Sequence, residues 1–165
     1  MRFSACGVLV VCVGLSSGAC RQADGPVPAP SEGVQAELSD VARDLQNVAS
    51  GQDPQASQDL ADDLRKYTEV PDVAAAVDEL SQRAAVVLAG VDLAEESAHQ
   101  LAENLWLSVV ASELSEQQME TIQGDVLSLL MTEGVAEERA QQVAAQIGEV
   151  QSAVATRPRR WYELF

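Results

Sequence analysis

Apolar residues recur at steps of three and four along the chain after residue 33, with polar residues between them. This spacing places the apolar side chains on one face of a helix, whereas a half-buried strand would alternate with period two. The pattern forms six segments, which are separated by Gly51, Val70-Pro71, Gly90, Ser115 and Gly134 and end at Arg157-Pro158. The sequence therefore predicts an all-α protein after residue 33.

The connections between these segments hold only about two to five residues, and connections of that length favour antiparallel neighbours. We expect six helices in three αα-hairpins that form a compact bundle over residues 34–156. The fourth segment is apolar on most sides around Leu105, so its helix should occupy the centre. Residues 93–102 and 135–144 also resemble each other, and stacking of such repeated units into a solenoid is the less favoured alternative.

Three of the predicted helices carry recognisable start signals. Asp53, followed by a proline, is typical of an N-cap with proline at the first helical position. Asp92 with Glu95, and Ser115 with Gln118, have the spacing of capping boxes. We expect each pair to satisfy backbone N–H groups at the start of its helix.

The chain is strongly acidic, with ten basic residues against 26 acidic ones and a net charge of −16. Such a surface repels nucleic acid and anionic lipid head groups, so we expect no nucleic-acid partner. The charge favours solubility, and it could also attract cationic partners or divalent cations. Aromatic residues make up only 4% of the chain, which predicts an aliphatic core.

The first 20 residues have the order of an export signal. Arg2 is followed by an apolar run over residues 3–15 and then by the tetrapeptide Ser-Gly-Ala-Cys at 17–20. A run of about 13 residues spans about 20 Å as a helix, less than the roughly 30 Å of a bilayer core, so it does not predict a permanent transmembrane helix. The tetrapeptide resembles the lipobox of bacterial lipoproteins, although Ser17 stands where that family has leucine.

This resemblance implies that residues 1–19 are a signal peptide and that Cys20 is the lipidated first residue of the mature protein. Residues 20–33 contain closely spaced prolines and would form an extended tether between the lipid and the bundle. Arg21 is not the aspartate that Gram-negative lipoproteins use for inner-membrane retention, so the resemblance implies the periplasmic face of the outer membrane. The alternative is ordinary cleavage after Ala19, which would leave Cys20 as a free thiol.

The sequence offers few groups for catalysis. Cys6 and Cys12 lie in the predicted leader, so the mature chain would contain neither a disulfide nor a thiolate metal cluster. His99 is the only histidine, and although Glu96 and His99 form a Glu-x-x-His pair, di-iron bundles need two such pairs. Nucleophile elbows, zinc-protease motifs and phosphate-binding glycine loops do not occur in the sequence. We therefore expect no metal, no cofactor and no enzymatic activity, with His99 on the flank of its helix.

The pentapeptide Leu-Ser-Glu-Gln-Gln at 114–118 resembles the Leu-Thr-x-x-Gln motif of small helical periplasmic chaperones of the Spy/CpxP type, with serine in place of threonine. It occurs once, whereas that family usually carries two copies. The resemblance implies a second function, that of a periplasmic chaperone or a divalent-cation-binding stress protein. A capping box at Ser115 would explain the same residues locally.

The segment 157–165 differs from the acidic chain that precedes it, because it combines arginines with aromatic residues. Its candidate partner-binding residues are Arg157, Arg159, Arg160, Trp161, Tyr162 and Phe165. These residue types are enriched at binding hot spots, so the segment could dock onto another protein; alternatively, it folds back onto the acidic helices. Together, the leader and the tail predict a membrane-tethered, non-catalytic interaction module that engages another envelope protein.

Overall fold

Six helices and short connections make up the part of the chain that the computed structural model describes, residues 32–68, 70–111 and 114–156. The helices are α1 (Glu32–Ser50), α2 (Ala56–Arg65), α3 (Pro71–Leu88), α4 (Glu95–Val110), α5 (Glu116–Thr132) and α6 (Glu137–Thr156). These three ranges contain no strand, so the predicted all-α fold is confirmed. The predicted signal peptide, residues 20–31 of the predicted tether and the tail 157–165 lie outside the described residues.

The helices pack around α4, which contacts α1, α2, α5 and α6, as the apolar surroundings of Leu105 predicted. The helix α6 contacts α3, α4 and α5, and it packs most extensively against α3. The predicted hairpin of α3 and α4 is wrong, because α3 packs mainly on α2 and α6 while α4 packs mainly on α1. The backbone N–H of Gly90, just after α3, donates to the carbonyl of Ala49 at the end of α1 at 2.9 Å. This bond holds the end of α3 against α1 before the chain continues into α4.

The core of the described residues is aliphatic, as the composition predicted. Its largest fully buried side chains are Leu38, Val41, Leu45, Leu60, Leu64, Leu80, Leu88, Leu101, Leu105, Ile122, Leu130 and Ile147. The aromatic residues Tyr67 and Trp106 are only half-buried and pack against this core, and their rings meet each other edge to face with centroids 6.1 Å apart. Helix stripes of leucine and valine, rather than large rings, therefore provide the apolar burial that stabilises the fold.

Three of the predicted helix ends are confirmed by backbone geometry. Gly51, Gly90 and Gly134 follow α1, α3 and α5 with φ angles of 64°, 79° and 85°. Residues with a Cβ rarely adopt this left-handed conformation, so glycine is favoured where a helix ends in this way.

The predicted helix starts have different outcomes. The capping box of α5 is confirmed, because the Ser115 hydroxyl accepts from the Gln118 N–H at 3.2 Å and the Gln118 side chain accepts from the Ser115 N–H at 3.0 Å. The prediction for Asp53 is wrong, since α2 begins at Ala56 and its N-cap is Gln55. The Asp53 carboxylate accepts from the Gln55 N–H at 2.8 Å and so stabilises the turn that precedes the helix.

The predicted capping box of Asp92 and Glu95 is also wrong, because α4 has Ala94 as its N-cap without a side-chain cap of its own. A carboxylate from the α5–α6 connection takes this place. Glu133 accepts a hydrogen bond from the Ser97 hydroxyl at 2.5 Å and a long one from the Ala94 N–H at 3.4 Å. A negative charge is favourable at the positive end of the helix dipole, so Glu133 joins α4 to the α5–α6 turn.

Two long polar side chains of α6 bind the ends of other helices. The Arg139 guanidinium donates to the carbonyl of Val87 at 2.9 Å and also to that of Val86, so the start of α6 meets the end of α3. The buried Gln151 amide donates to the carbonyls of Ser108 and Ala111 at the end of α4. These bonds satisfy carbonyls that have no partner within their own helices, and they fix α6 against both α3 and α4.

Candidate functional site

A groove of about 680 Å³ runs between the first half of α3 and the second half of α6. Because the start of α6 meets the end of α3, the two helices run antiparallel and their small residues face each other here. The lining residues are Ala75, Ala76, Glu79, Gln146, Glu149, Ser152, Ala153 and Thr156. Alanine side chains leave space that larger residues would fill, so the contact between α3 and α6 is open along this edge.

One of the polar residues that line the groove, Gln146, is almost fully buried. Gln146 is only 7% exposed, yet its amide forms no hydrogen bond with another described residue. Within the described ranges, the fully buried side-chain polar atoms that lack a partner are the Ser81 hydroxyl and the Trp106 Nε1 atom, so the Gln146 amide itself meets solvent at the groove. The Gln146 side chain lines the groove and therefore offers both a donor and an acceptor to whatever enters it.

The charge of the groove is negative. Glu79 on α3 and Glu149 on α6 are both exposed, and neither forms an ion pair within the described ranges. The hydroxyls of Ser152 and Thr156 are already engaged, because they donate to the carbonyls of Gly148 and Ala153 in their own helix. The groove is therefore suited to a positively charged, extended segment that could pair with the carboxylates and bond to the Gln146 amide.

The predicted site residues lie outside the residues that the structure describes. Cys20 precedes the described ranges, and Arg157, Arg159, Arg160, Trp161, Tyr162 and Phe165 follow them. The structure does place the residue that precedes this tail. Thr156, the last residue of α6, is itself a lining residue of the groove.

A second polar feature lies where α1 packs on α2. Asp44 is only 6% exposed, although it stands on an otherwise apolar face of α1. Burial raises the pKa of its carboxyl to about 6, and the nearby Asp63 carboxylate adds to this shift by repulsion and by sharing a hydrogen bond, while Arg43 opposes it. Asp63 is paired with the Lys66 ammonium at 2.5 Å, so one of the two carboxylates is charge-compensated. The second is protonated more readily than an ordinary aspartate.

His99 lies on α4 where that helix faces α1. Its Nε2 atom is 3.3 Å from the hydroxyl of Ser39, and the residue is half-buried. Within the described ranges, no three residues of the types His, Cys, Asp and Glu are grouped closely enough to hold a metal ion.

Tyr67 and Trp106 form a small aromatic pair between the end of α2 and α4. The Tyr67 hydroxyl donates to the Glu37 carboxylate, and burial together with this hydrogen bond raises the pKa of the phenol. The buried Nε1 atom of Trp106 has no acceptor among the described residues. The pair joins α1, α2 and α4 on the face that includes Asp63. The groove, in contrast, is formed by α3 and α6.

The pentapeptide at 114–118 has a structural role in this protein. Ser115 and Gln118 bond to each other's backbone and side chain at the start of α5, and the apolar side chain of Leu114 packs against the core. The same residue types that resemble the chaperone motif are thus used as a helix cap.

Sequence reasoning missed both Gln146 and Asp44. A signal for each was present, because both polar residues occur inside the apolar stripe of their helices. Gln146 lies three residues after Val143 and four before Val150, and Asp44 lies three residues after Val41 and four before Val48.

None of the helices in the described part of the chain combines the length and the hydropathy needed to cross a membrane. Comparison of the chain with protein-family models, with curated proteins and with solved structures found no significant match.

Proposed function

We propose that this protein is a lipid-anchored, non-catalytic interaction module of the bacterial cell envelope, and that its basic-aromatic tail 157–165 engages another envelope protein. The observation that carries the proposal is the contrast between the two ends of the chain and the bundle between them. The leader ends in a lipobox-like tetrapeptide at 17–20, the tail concentrates arginine and aromatic side chains, and the bundle itself is acidic.

The groove between α3 and α6 supports a binding role. The Gln146 amide, together with two exposed carboxylates on Glu79 and Glu149, forms a polar surface that is suited to recognition. Thr156, the residue before the tail, lines this surface, so the tail starts in the same region of the molecule as the groove. An interaction module needs such a surface on a stable scaffold rather than a set of reacting groups.

The anchor is tested by metabolic labelling with palmitate and by membrane fractionation. Cys20→Ser should abolish both the label and the membrane association, because no other cysteine is expected in the mature chain. Cys12→Ser, which changes a cysteine of the predicted leader, is the matched control and should retain both. Labelling that survives Cys20→Ser would disprove lipidation at this residue.

The interaction is tested by crosslinking in intact cells with a photoreactive residue in place of Tyr162, followed by identification of the captured protein. Trp161→Ala should remove the crosslinked species without changing the amount or the membrane association of the module. The matched control is Met131→Ala, which truncates an exposed apolar side chain on α5 that does not line the groove. Equal capture with and without Trp161 would contradict the proposed role of the tail.

A further inference from the structure

We propose that the tail 157–165 occupies the groove between α3 and α6 of its own chain when no partner is bound, so that a partner must displace it. This inference rests on the proposed function, because it assumes that the tail is the segment that binds the partner. Its physical basis is the position, the reach and the chemistry of the tail relative to the groove.

The position of the groove favours the tail over any other segment. Thr156 ends α6 and lines the groove, so the tail starts at the edge of the groove itself. Pro158 disfavours a helical conformation of Arg157, which favours a change in chain direction directly after α6. A turn at this point allows the following residues to run back along α6.

The reach of the tail matches the length of the groove. Gln146 lies ten residues before Thr156 along α6, which corresponds to about 15 Å at the helical rise. With a turn at Arg157 and Pro158, the remaining residues 159–165 can span up to about 23 Å when extended. A reversed tail can therefore bring Arg159 and Arg160 to the level of Glu149, and Trp161 towards Gln146.

The chemistry of the two surfaces is complementary. Glu79 and Glu149 are exposed carboxylates without an ion pair among the described residues, and the tail carries three arginines. Guanidinium groups bind carboxylates in bidentate geometry, and an extended backbone can bond to the Gln146 amide. Alanine residues of the lining leave room for the flat ring of Trp161.

Attachment to α6 also lowers the affinity that such docking needs. A segment joined to its site by a short connection has an effective concentration on the order of millimolar, so a weak contact is populated within one chain. A partner that binds the same arginines and aromatic residues would compete with the groove. Its apparent Kd would equal its intrinsic Kd divided by the fraction of chains whose tail is undocked.

The test uses the full chain with Trp106→Phe, which leaves Trp161 as the only tryptophan. Docking predicts a blue-shifted emission of Trp161 and weak quenching by acrylamide. The double variant Glu79→Lys with Glu149→Lys should shift the emission to the red and lower the docked-to-free ratio by about fivefold or more, because two ion pairs are replaced by repulsion. Glu120→Lys with Asp125→Lys, at exposed positions of α5, changes the charge equally and should leave Trp161 shielded.

If Trp106→Phe perturbs the fold by circular dichroism, the same variants are compared in the unmodified background by ¹⁹F NMR of fluorotryptophan, with Trp161→Phe used to assign the second resonance. A Trp161 signal typical of free solvent overturns the inference. Shielding of Trp161 that is the same whatever the charge of residues 79 and 149 also overturns it. Insertion of Trp161 into the detergent that dissolves a lipid-anchored chain would give that result. Shielding that appears only as the protein concentration rises would assign the groove to a second copy and would likewise overturn docking within one chain.

The two proposals fail in different experiments. Loss of crosslinking to a partner tests the proposed function in cells, whereas the fluorescence of the purified protein tests the groove. An exposed Trp161 in a chain that still captures its partner would remove the inference and leave the proposed function intact.

Discussion

Replacement of Asp44 by asparagine should stabilise the protein at neutral pH. Asp44 is almost fully buried, and its carboxyl pKa is raised to about 6 by burial first and by the neighbouring Asp63 second. Ionisation at neutral pH therefore places a charge in an unfavourable site. The asparagine side chain would keep the shape of the aspartate, remove its charge and donate a hydrogen bond to Asp63.

The sign of the pH dependence follows from proton linkage. The unfolded chain has an ordinary aspartate pKa near 3.9 at this position, while the folded chain has a pKa of about 6. Between these values the folded state binds more protons, so the free energy of unfolding falls as the pH rises. The favourable contribution is fully present below about pH 4 and is lost once the pH exceeds about 6.

The magnitude can be worked from the shift. Two pKa units correspond to about 3 kcal/mol of differential interaction between the protonated and ionised forms. Asp63 remains partly exposed and is compensated by Lys66, so water and salt screen part of this interaction. We expect Asp44→Asn to raise the free energy of unfolding by about 1–2 kcal/mol at pH 7.5 and to have almost no effect at pH 4.

The assay is urea unfolding followed by circular dichroism at several pH values, with the difference between variant and wild type as the readout. Using this difference removes the pH dependence that the net charge of −16 imposes on both proteins. Asp125→Asn, at an exposed position on α5, is the matched control and should give a small difference at every pH. A variant that is no more stable than the wild type at pH 7.5, or a difference that does not shrink on acidification, would refute the reasoning.

Three further predictions concern the scaffold, each measured by urea unfolding of the full chain. Leu105→Ala should lower the free energy of unfolding by about 2–5 kcal/mol, because it leaves a cavity in the centre of the bundle; a loss below about 1 kcal/mol would contradict the central position of α4. Glu133→Ala should cost about 1 kcal/mol through the loss of its bonds at the start of α4, and Glu138→Ala, which removes an exposed carboxylate, should cost less. Ser115→Ala should cost about 1 kcal/mol by removing the capping box of α5, whereas an unchanged midpoint would show that Gln118 alone maintains the helix start.

The parts of the fold that depend on neighbours in sequence could be predicted. The apolar stripes identified all six helices, and Gly51, Gly90 and Gly134 marked three of their ends. These signals are local, because a helix face and a left-handed glycine each depend on a few consecutive residues. The capping box of Ser115 succeeded for the same reason.

The parts that depend on distant residues could not be predicted in this way. The start of α4 was assigned to Asp92, yet its carboxylate cap comes from Glu133, 39 positions after Ala94. The partner of α3 is α6, which Arg139 joins to it, and this pairing has no signal in the connections between consecutive helices. Nothing in the local pattern around Ala94 indicates which loop will supply a charge to it.

The candidate site shows the same division between local and distant signals, and it suggests how such sites can be found in other helical proteins. Asp44, Gln146 and Gln151 are all polar residues at positions where the apolar stripe of a helix predicts burial. Gln151 is explained by the carbonyls that it binds on α4, whereas Asp44 is buried beside Asp63 with a raised carboxyl pKa. The Gln146 amide is explained by the groove, where solvent reaches it beside the start of the tail. A polar residue inside an apolar stripe therefore marks the surface that its side chain reaches, and for Gln146 this surface is the groove to which we propose that the tail docks.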